Sequence, residues 1–262
     1  MAEVKVQDIR PTHKNIIITG GYGHLGQAIS VSLAHYGAIV YVAARNEEKF
    51  ENAFHEFSQK DSVHFLKMDI SNSESIKSSF QWLQDRGIRL DGIINNAFYA
   101  KGQSPNEMTK EDFTFTLEGS LTSVFEVIKY ALPHLAQGSS IVNVSSMYGM
   151  VSPDFKAYKQ APEYLNPPHY GAAKAGVIQL SKYYASFLGE KGIRVNTVTP
   201  GPFPSDSVQE NKEFLKALEE RTLLCRFGKP NDLAGIFCFL MSEASSFITG
   251  QNFVVDGGWT VG

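Results

Sequence analysis

Seven short runs of β-branched and apolar residues, separated by stretches of helical periodicity, constrain this chain more than any other feature. The runs are "NIIIT" (15–19), "AIVYVAA" (38–44), "VHFLKM" (63–68), "LDGIIN" (90–95), "SIVNVS" (140–145), "IRVNTV" (193–198) and "NFVVD" (252–256). They are almost continuously apolar rather than alternating, the pattern of parallel strands buried on both faces. Between them, "HLGQAISVSLAHYG", "SNSESIKSSFQWLQDRG" and "TKEDFTFTLEGSLTSVFEVIKYALPHL" read as amphipathic helices. Ser71 and Glu74 give the second of these a capping-box start. Strands alternating with helices predict an α/β fold, a doubly wound parallel sheet, with ligands outside the carboxyl ends of the strands.

The 262 residues, 43% hydrophobic and 19% charged, suit one large α/β domain. No linker, charge run or repeat divides them, so residues 13–262 read as one domain behind an N-terminal tail, 1–12. A net charge of −3 without a basic cluster argues against nucleic acid as the partner. No apolar run reaches a membrane span, and residues 1–14 lack the apolar core of a signal peptide. The two cysteines, Cys225 and Cys238, fit a reducing cytoplasm, and neither has a metal-ligand neighbourhood.

The first strand ends at Thr19; Gly21, Gly23 and Gly26 then spell G-x-G-x-x-G and open a helix. In that context the backbone can approach a pyrophosphate whose charge meets the helix N-terminus. A Rossmann-type dinucleotide site follows. The second strand ends in Ala44 and Arg45, with no acid to bond a ribose 2′-hydroxyl. Arg45 can meet a 2′-phosphate, which favours NADP(H) over NAD(H). Asp69, ending the third strand, can accept from the adenine amino group or begin the next turn. Tyr170 and Lys174, four residues apart on a helical segment, share one face. An ammonium beside a phenol is expected to lower the phenol's pKa from about 10 toward neutrality, giving an acid matched to hydride transfer at a carbonyl.

Taken in order, "TGGYGHLG" (19–26), "MDI" (68–70), "NNAF" (95–98), "IVNVSS" (141–146), "YGAAK" (170–174), "RVNTVTPGPF" (194–203) and "GQNFVVDGGW" (250–259) resemble the short-chain dehydrogenase/reductase family, classical type. The resemblance spans residues 12–260. It implies Tyr170 as general acid in reduction and base in oxidation. Lys174 would tune Tyr170 and hold the nicotinamide ribose, and Ser146 would bond the substrate oxygen. It places Thr19, Gly20, Gly21, Gly23, His24, Leu25, Gly26, Asp69, Ile70, Asn95 and Ala97 along the cofactor. Pro200 and Gly201 begin the loop over the nicotinamide, and Ser205 stands where a threonine often touches the carboxamide or phosphate. Phe98, Tyr148, Asp154, His169 and Phe203 are expected at the substrate.

Four departures from the family pattern carry weight. His24 stands at a usual glycine, and the spacing Gly20, Gly23, Gly26 is that of the extended sub-family. Phe98 replaces a glycine. Ser120 replaces an asparagine that holds a water in the proton relay to the lysine. Ser146 and Tyr170 lie 24 positions apart, where the family has about a dozen. The extra segment, 150–169, is rich in proline, tyrosine and charge; with the substrate loop, 202–228, it should shape the pocket. Its Asp154, Lys156, Tyr158, Lys159, Tyr164 and Asn166 offer hydrogen bonds to hydroxyl groups and suggest a polar hydroxylated substrate such as a sugar, polyol or sugar acid. A 3-oxoacyl-type reductase, a nucleotide-sugar epimerase or dehydratase, and a non-catalytic cofactor-binding regulator remain alternatives. The apolar faces of the two helices around residues 111–135 and 170–189 predict a homotetramer or homodimer.

Overall fold

In the computed structural model, described for residues 7–102, 104–156, 158–159 and 161–262, seven parallel strands form one sheet in the order β3-β2-β1-β4-β5-β6-β7. Residues 1–6 of the expected tail lie outside the described residues. The strands are β1 (Asn15–Thr19), β2 (Ile39–Ala44), β3 (Val63–Lys67), β4 (Leu90–Asn95), β5 (Leu135–Val144), β6 (Arg194–Pro200) and β7 (Asn252–Val255). All seven fall on the apolar runs of the sequence. The largest difference is at β5, which begins five residues earlier than its apolar run and meets β4 through a register shift between Leu90 and Gly92.

Nine α-helices are found among the described residues: α1 (His24–His35), α2 (Glu47–Phe54), α3 (Ser73–Asp85), α4 (Lys110–Leu117), α5 (Ser123–Ala131), α6 (Pro168–Gly189), α7 (Asp206–Gln209), α8 (Lys212–Arg221) and α9 (Pro230–Met241). Strand alternation divides them between two layers. Ile16 and Ile18 face the layer of α1, α2 and α9, where Leu33, Phe50 and Phe237 pack. Ile17 and Ile93 face the layer of α3 and α5, with Phe80 and Val127. Further along, Ile141 and Val195 meet α6 through Val177 and Leu188. No helix among the described residues is long and apolar enough to cross a membrane.

Two local expectations change. The α3 cap is Asn72, whose side chain accepts from the Ser75 N–H at 3.0 Å, not Ser71 with Glu74. Ser71 is occupied instead by the Asp69 carboxylate, to which its N–H and hydroxyl both donate. The long helix expected after residue 109 is interrupted by a π-helical turn, Glu118–Thr122. Within it Gly119 packs closely on the Tyr99 backbone, where a Cβ would lie 2.2 Å from the Tyr99 carbonyl oxygen.

After β3 the chain returns to place β4 against β1, and the crevice between these two strands is the switch point of the sheet. Everything that follows is built at the carboxyl ends of β1, β4, β5 and β6.

Candidate active site

The floor of the crevice is a hydrogen-bonded crossing between the ends of β1 and β4. The Thr19 hydroxyl accepts from the N–H groups of Asn96 and Ala97, both at 3.0 Å. Asn96 donates its amide back to the carbonyls of Thr19, at 3.0 Å, and Gly20, at 3.2 Å. Gly20 takes φ +65°, which only glycine adopts without strain. Gly26 is needed for a different reason: a Cβ there would lie 2.3 Å from the Gly20 carbonyl. Gly21 is confined as well, against Ile18 and Ser30, and a Cβ on Gly23 would lie 3.3 Å from the Gly20 carbonyl, a milder crowding. Both readings of the glycine spacing therefore hold part of the truth. Gly20 and Gly26 make the turn, Gly21 packs it on the sheet, and Gly23 leaves the N-terminus of α1 open.

That N-terminus carries no side-chain cap and no acid in its first turn. Its free N–H groups and the helix dipole suit a pyrophosphate. Gly23, His24, Leu25 and Gly26 line a cavity of about 520 Å³. The same cavity is lined by Ser146, Tyr170, Lys174, Pro200, Gly201 and Ser205. A glycine-shaped cradle opening onto a Tyr–Lys–Ser group fits a nicotinamide dinucleotide.

At the rim by β2, Arg45 is exposed, and the Lys67 ammonium donates to its carbonyl at 2.6 Å. Asp69 lies below its usual pKa. Burial opposes this, and the hydrogen bonds from Ser71 with the nearby charges of Arg45 and Lys67 outweigh it. Ile70 is half-buried beside it, against the core under β1 and β2.

β5 delivers Ser146, whose hydroxyl accepts from the Tyr148 N–H at 3.2 Å. α6 delivers Tyr170 and Lys174. Lys174 is 2% exposed, and its ammonium donates to the Val144 carbonyl at 2.9 Å. Burial lowers its pKa to about 8. The expected depression of the Tyr170 pKa is not found. Burial pushes it up to about 12, opposed by the Ser146 hydroxyl, although part of the ring opens to the cleft. The Lys174 charge lies 5.7 Å from the Tyr170 ring centroid and is partly spent on Val144. Dehydration thus outweighs the pairing that sequence spacing suggests. Phe98 sits against both, its ring 5.6 Å from Tyr170 and 4.9 Å from the Lys174 ammonium.

Several expected residues lie elsewhere. Asn95 is 2% exposed and donates to Asn143 at 2.7 Å, leaving its own oxygen unpartnered; Asn96 lines the cavity instead. Ser120 is fully buried in the π-turn and donates to the Tyr99 carbonyl at 3.3 Å. His169 is fully buried between α4 and α6, with Nε2 3.4 Å from the Thr116 hydroxyl and Phe113 edge-on. Asp154 meets Arg221 of α8 at 3.5 Å. Lys156, Lys159 and Glu163 are exposed. The charges of segment 150–169 therefore do not face the reacting groups, which removes the support they gave to a sugar acid.

What does face them is aromatic. A cavity of about 240 Å³ on the far side of Ser146 and Tyr170 is walled by Tyr148, Tyr158, Tyr164, Phe203, Phe214 and Leu218. The Tyr148 and Tyr158 hydroxyls are hydrogen-bonded, and Phe214 stacks on Tyr158 and Tyr164 at 5.2 and 5.1 Å. Of the insertion's residues, Tyr158, Tyr164 and Asn166 do line this pocket, whereas Asn96, Lys67 and Phe214 were missed as members of the site by sequence reasoning. The second asparagine of "NNAF" and the tyrosines of the insertion were visible signals; nothing in the sequence marked Phe214.

Comparison with known proteins gives the class. A sequence model of the family described as enoyl-(acyl carrier protein) reductase matches residues 23–260. The chain is 30% identical over 257 residues to a 3-oxoacyl-(acyl-carrier-protein) reductase of Chlamydia pneumoniae, covering 97% of this chain and 99% of that one. A short-chain dehydrogenase from Leptospira borgpetersenii with bound NAD+ superposes with a TM-score of 0.86 at 26% identity, over 100% of this chain and 99% of that one. A putative gluconate dehydrogenase from Agrobacterium tumefaciens does so with 0.86 at 25%, over 97% and 98%. The chain belongs to the short-chain dehydrogenase/reductase family and is an NAD(P)-dependent oxidoreductase of that family.

The two shifted groups set an expected pH profile. With Tyr170 raised to about 12, its phenol stays protonated through the neutral range. Lys174 loses its charge through about pH 8. With Tyr170 as the expected proton donor, carbonyl reduction should be flat below pH 8 and decline above it, while alcohol oxidation, for which the same expectation calls on the Tyr170 phenolate, should gain on reduction as pH rises. Initial rates in both directions from pH 6 to pH 10 check this.

Proposed function

We propose that this chain transfers a hydride reversibly between NADP(H) and the carbonyl or secondary alcohol of a small uncharged molecule. The observation that carries the reading is the sharing of one cavity by the open α1 N-terminus and by Ser146, Tyr170 and Lys174. The nicotinamide supplies the hydride chemistry when bound. The chain's own residues supply orientation and protons. Ser146 and Tyr170 donate to the substrate oxygen as negative charge builds there, which is general acid catalysis combined with electrostatic stabilisation. Lys174, whose ammonium donates to the Val144 carbonyl, would hold the ribose hydroxyls in this reading. Ser120, bonded to Tyr99, serves to hold the π-turn rather than a water relay.

Uncharged sugars and polyols remain compatible with the site, and so do apolar ketones. No acidic or basic side chain lines the aromatic pocket among the described residues. A sugar acid would leave its carboxylate unpaired there, at a cost that favours neutral substrates. The aromatic walls also favour the 3-oxoacyl-type alternative over the epimerase alternative.

Tyr170→Phe should lower kcat by about a hundredfold or more, the scale of a lost general acid. It should leave NADPH binding, read by quenching of Tyr or Trp fluorescence, within about twofold. Retained turnover would remove Tyr170 from the acid role.

NADP(H) preference rests on Arg45, with Lys67 beside it and no acid at the end of β2. A charge-assisted bond to the 2′-phosphate contributes about 1.5–3 kcal/mol, or roughly ten- to hundredfold in kcat/KM. Arg45→Ala should erase most of that ratio, measured with both cofactors. Equal efficiency with NAD(H) in the unaltered protein would defeat the reading.

A homo-oligomer follows from exposed aromatic side chains on the outer faces of α4, α5 and α6, including Phe113, Phe125, Tyr183 and Phe187. Sedimentation should give a dimer or tetramer at micromolar concentration; a monomer would contradict it.

A further inference from the structure

Beyond the substrate pocket lies a second compartment that the catalytic reading does not use. It is a cavity of about 490 Å³ between the start of segment 150–169 and the first turn of α6. Its walls include Met150, Val151, Pro153, Phe155, Pro167 and Pro168. No acidic or basic side chain lines it among the described residues. Phe155 and Met150 are 61% and 46% exposed, which leaves apolar surface in water that a ligand would cover.

Two residues connect this compartment to the reacting groups. Tyr148 and Asn166 line both it and the aromatic pocket that contains Ser146 and Tyr170. Asn166 lines the cofactor-side cavity as well, so all three spaces meet at its side chain. A molecule seated among the prolines is therefore one side chain away from the atoms where hydride and proton arrive. A chamber walled mainly by apolar side chains, with Ser152 and Asn166 among its few polar members, suits an uncharged extension, since a charged group there would meet no charged partner.

Resting on the proposed oxidoreductase function, the geometry points to a two-compartment substrate: a carbonyl-bearing end in the tyrosine pocket and an uncharged apolar extension in the proline-lined cavity, with Asn166 at the junction. The ordering of the insertion supports this. Tyr158 and Ala161 are 5% and 0% exposed, so these two residues are anchored in the core beneath, and Pro153, Pro167 and Pro168 line the chamber with side chains of little conformational freedom.

The test uses two variants that add bulk at positions lining the cavity, Ala172→Phe from α6 and Ser152→Phe from the insertion, neither of which belongs to the catalytic group. In the unaltered enzyme with NADPH, kcat/KM for methyl ketones from butanone to octanone should rise by about tenfold or more, as expected for burying successive methylenes. Both variants should flatten that rise while changing the butanone value by no more than about twofold. In parallel, the uncharged dye Nile red should bind the unaltered protein and lose about tenfold in affinity in both variants, with NADPH binding unchanged. A flat chain-length dependence in the unaltered enzyme, or dye binding unaffected by both variants, overturns the inference. Failure of every methyl ketone to be reduced, with dye binding lost as expected in the variants, would overturn the proposed reaction on small neutral carbonyls and leave the apolar chamber standing.

Discussion

The site depends on one crossing: the Thr19 hydroxyl binds two N–H groups of the β4 end, and Asn96 returns its amide to the β1 end. A doubly wound sheet opens a crevice wherever its strand order reverses. Left alone, the two strand ends there would diverge, each with unpaired backbone groups. Here one side chain from each strand satisfies the other's backbone. This sets the height of the Gly20 carbonyl, which accepts from both Asn96 and Gly23. Gly26 must then lack a Cβ, because that carbonyl occupies the space. The position of the α1 N-terminus, and so of any phosphate bound to it, follows from a threonine and an asparagine that touch no phosphate themselves.

A second constraint is dehydration. Lys174 is nearly inaccessible, and its neighbours are the Val144 carbonyl and the Phe98 ring rather than an acid. The absence of an acid partner keeps its pKa near 8, within reach of physiological pH. An ion pair would have raised it and fixed its charge. Phe98 covers one side of the ammonium, its ring centroid 4.9 Å away. The same burial holds Tyr170 as a phenol, the form that donates. Sequence spacing told correctly which two groups are neighbours. It could not tell how much water surrounds them, and water decides the sign of the tyrosine shift.

The fold was legible because parallel strands and amphipathic helices carry periodicities that survive without tertiary information. The seven apolar runs and the α/β order come directly from the residues. What was not legible depended on long-range geometry. Ser71 looked like a cap because Glu74 follows it, but Asp69 takes its donors and passes the capping role to Asn72. Asn95 and Asn96 are adjacent and identical in type. Strand alternation alone sends one into the sheet toward Asn143 and the other into the crevice. His169 precedes Tyr170, yet the helix turns it about 100° away, into the contact with Thr116 and Phe113.

The insertion shows how composition can mislead about surroundings. Its charges drew attention as substrate ligands, but charged side chains can reach water from almost any surface segment, whereas tyrosines are costly to leave exposed. Folding therefore sorts them. Lys156, Lys159 and Glu163 take the outside, and Asp154 goes to Arg221. Tyr158 and Tyr164 turn inward, where Phe214 of α8 stacks on both. Arg221, at the end of the same helix, also donates to the Gly262 carbonyl at 2.8 Å and lies over the Trp259 ring. The insertion, α8 and the segment after β7 are consequently one packed unit around Met147, Tyr148 and Trp259. The aromatic wall beside Ser146 and Tyr170 is thus tied to α8 through Phe214, so the position of the one sets the position of the other.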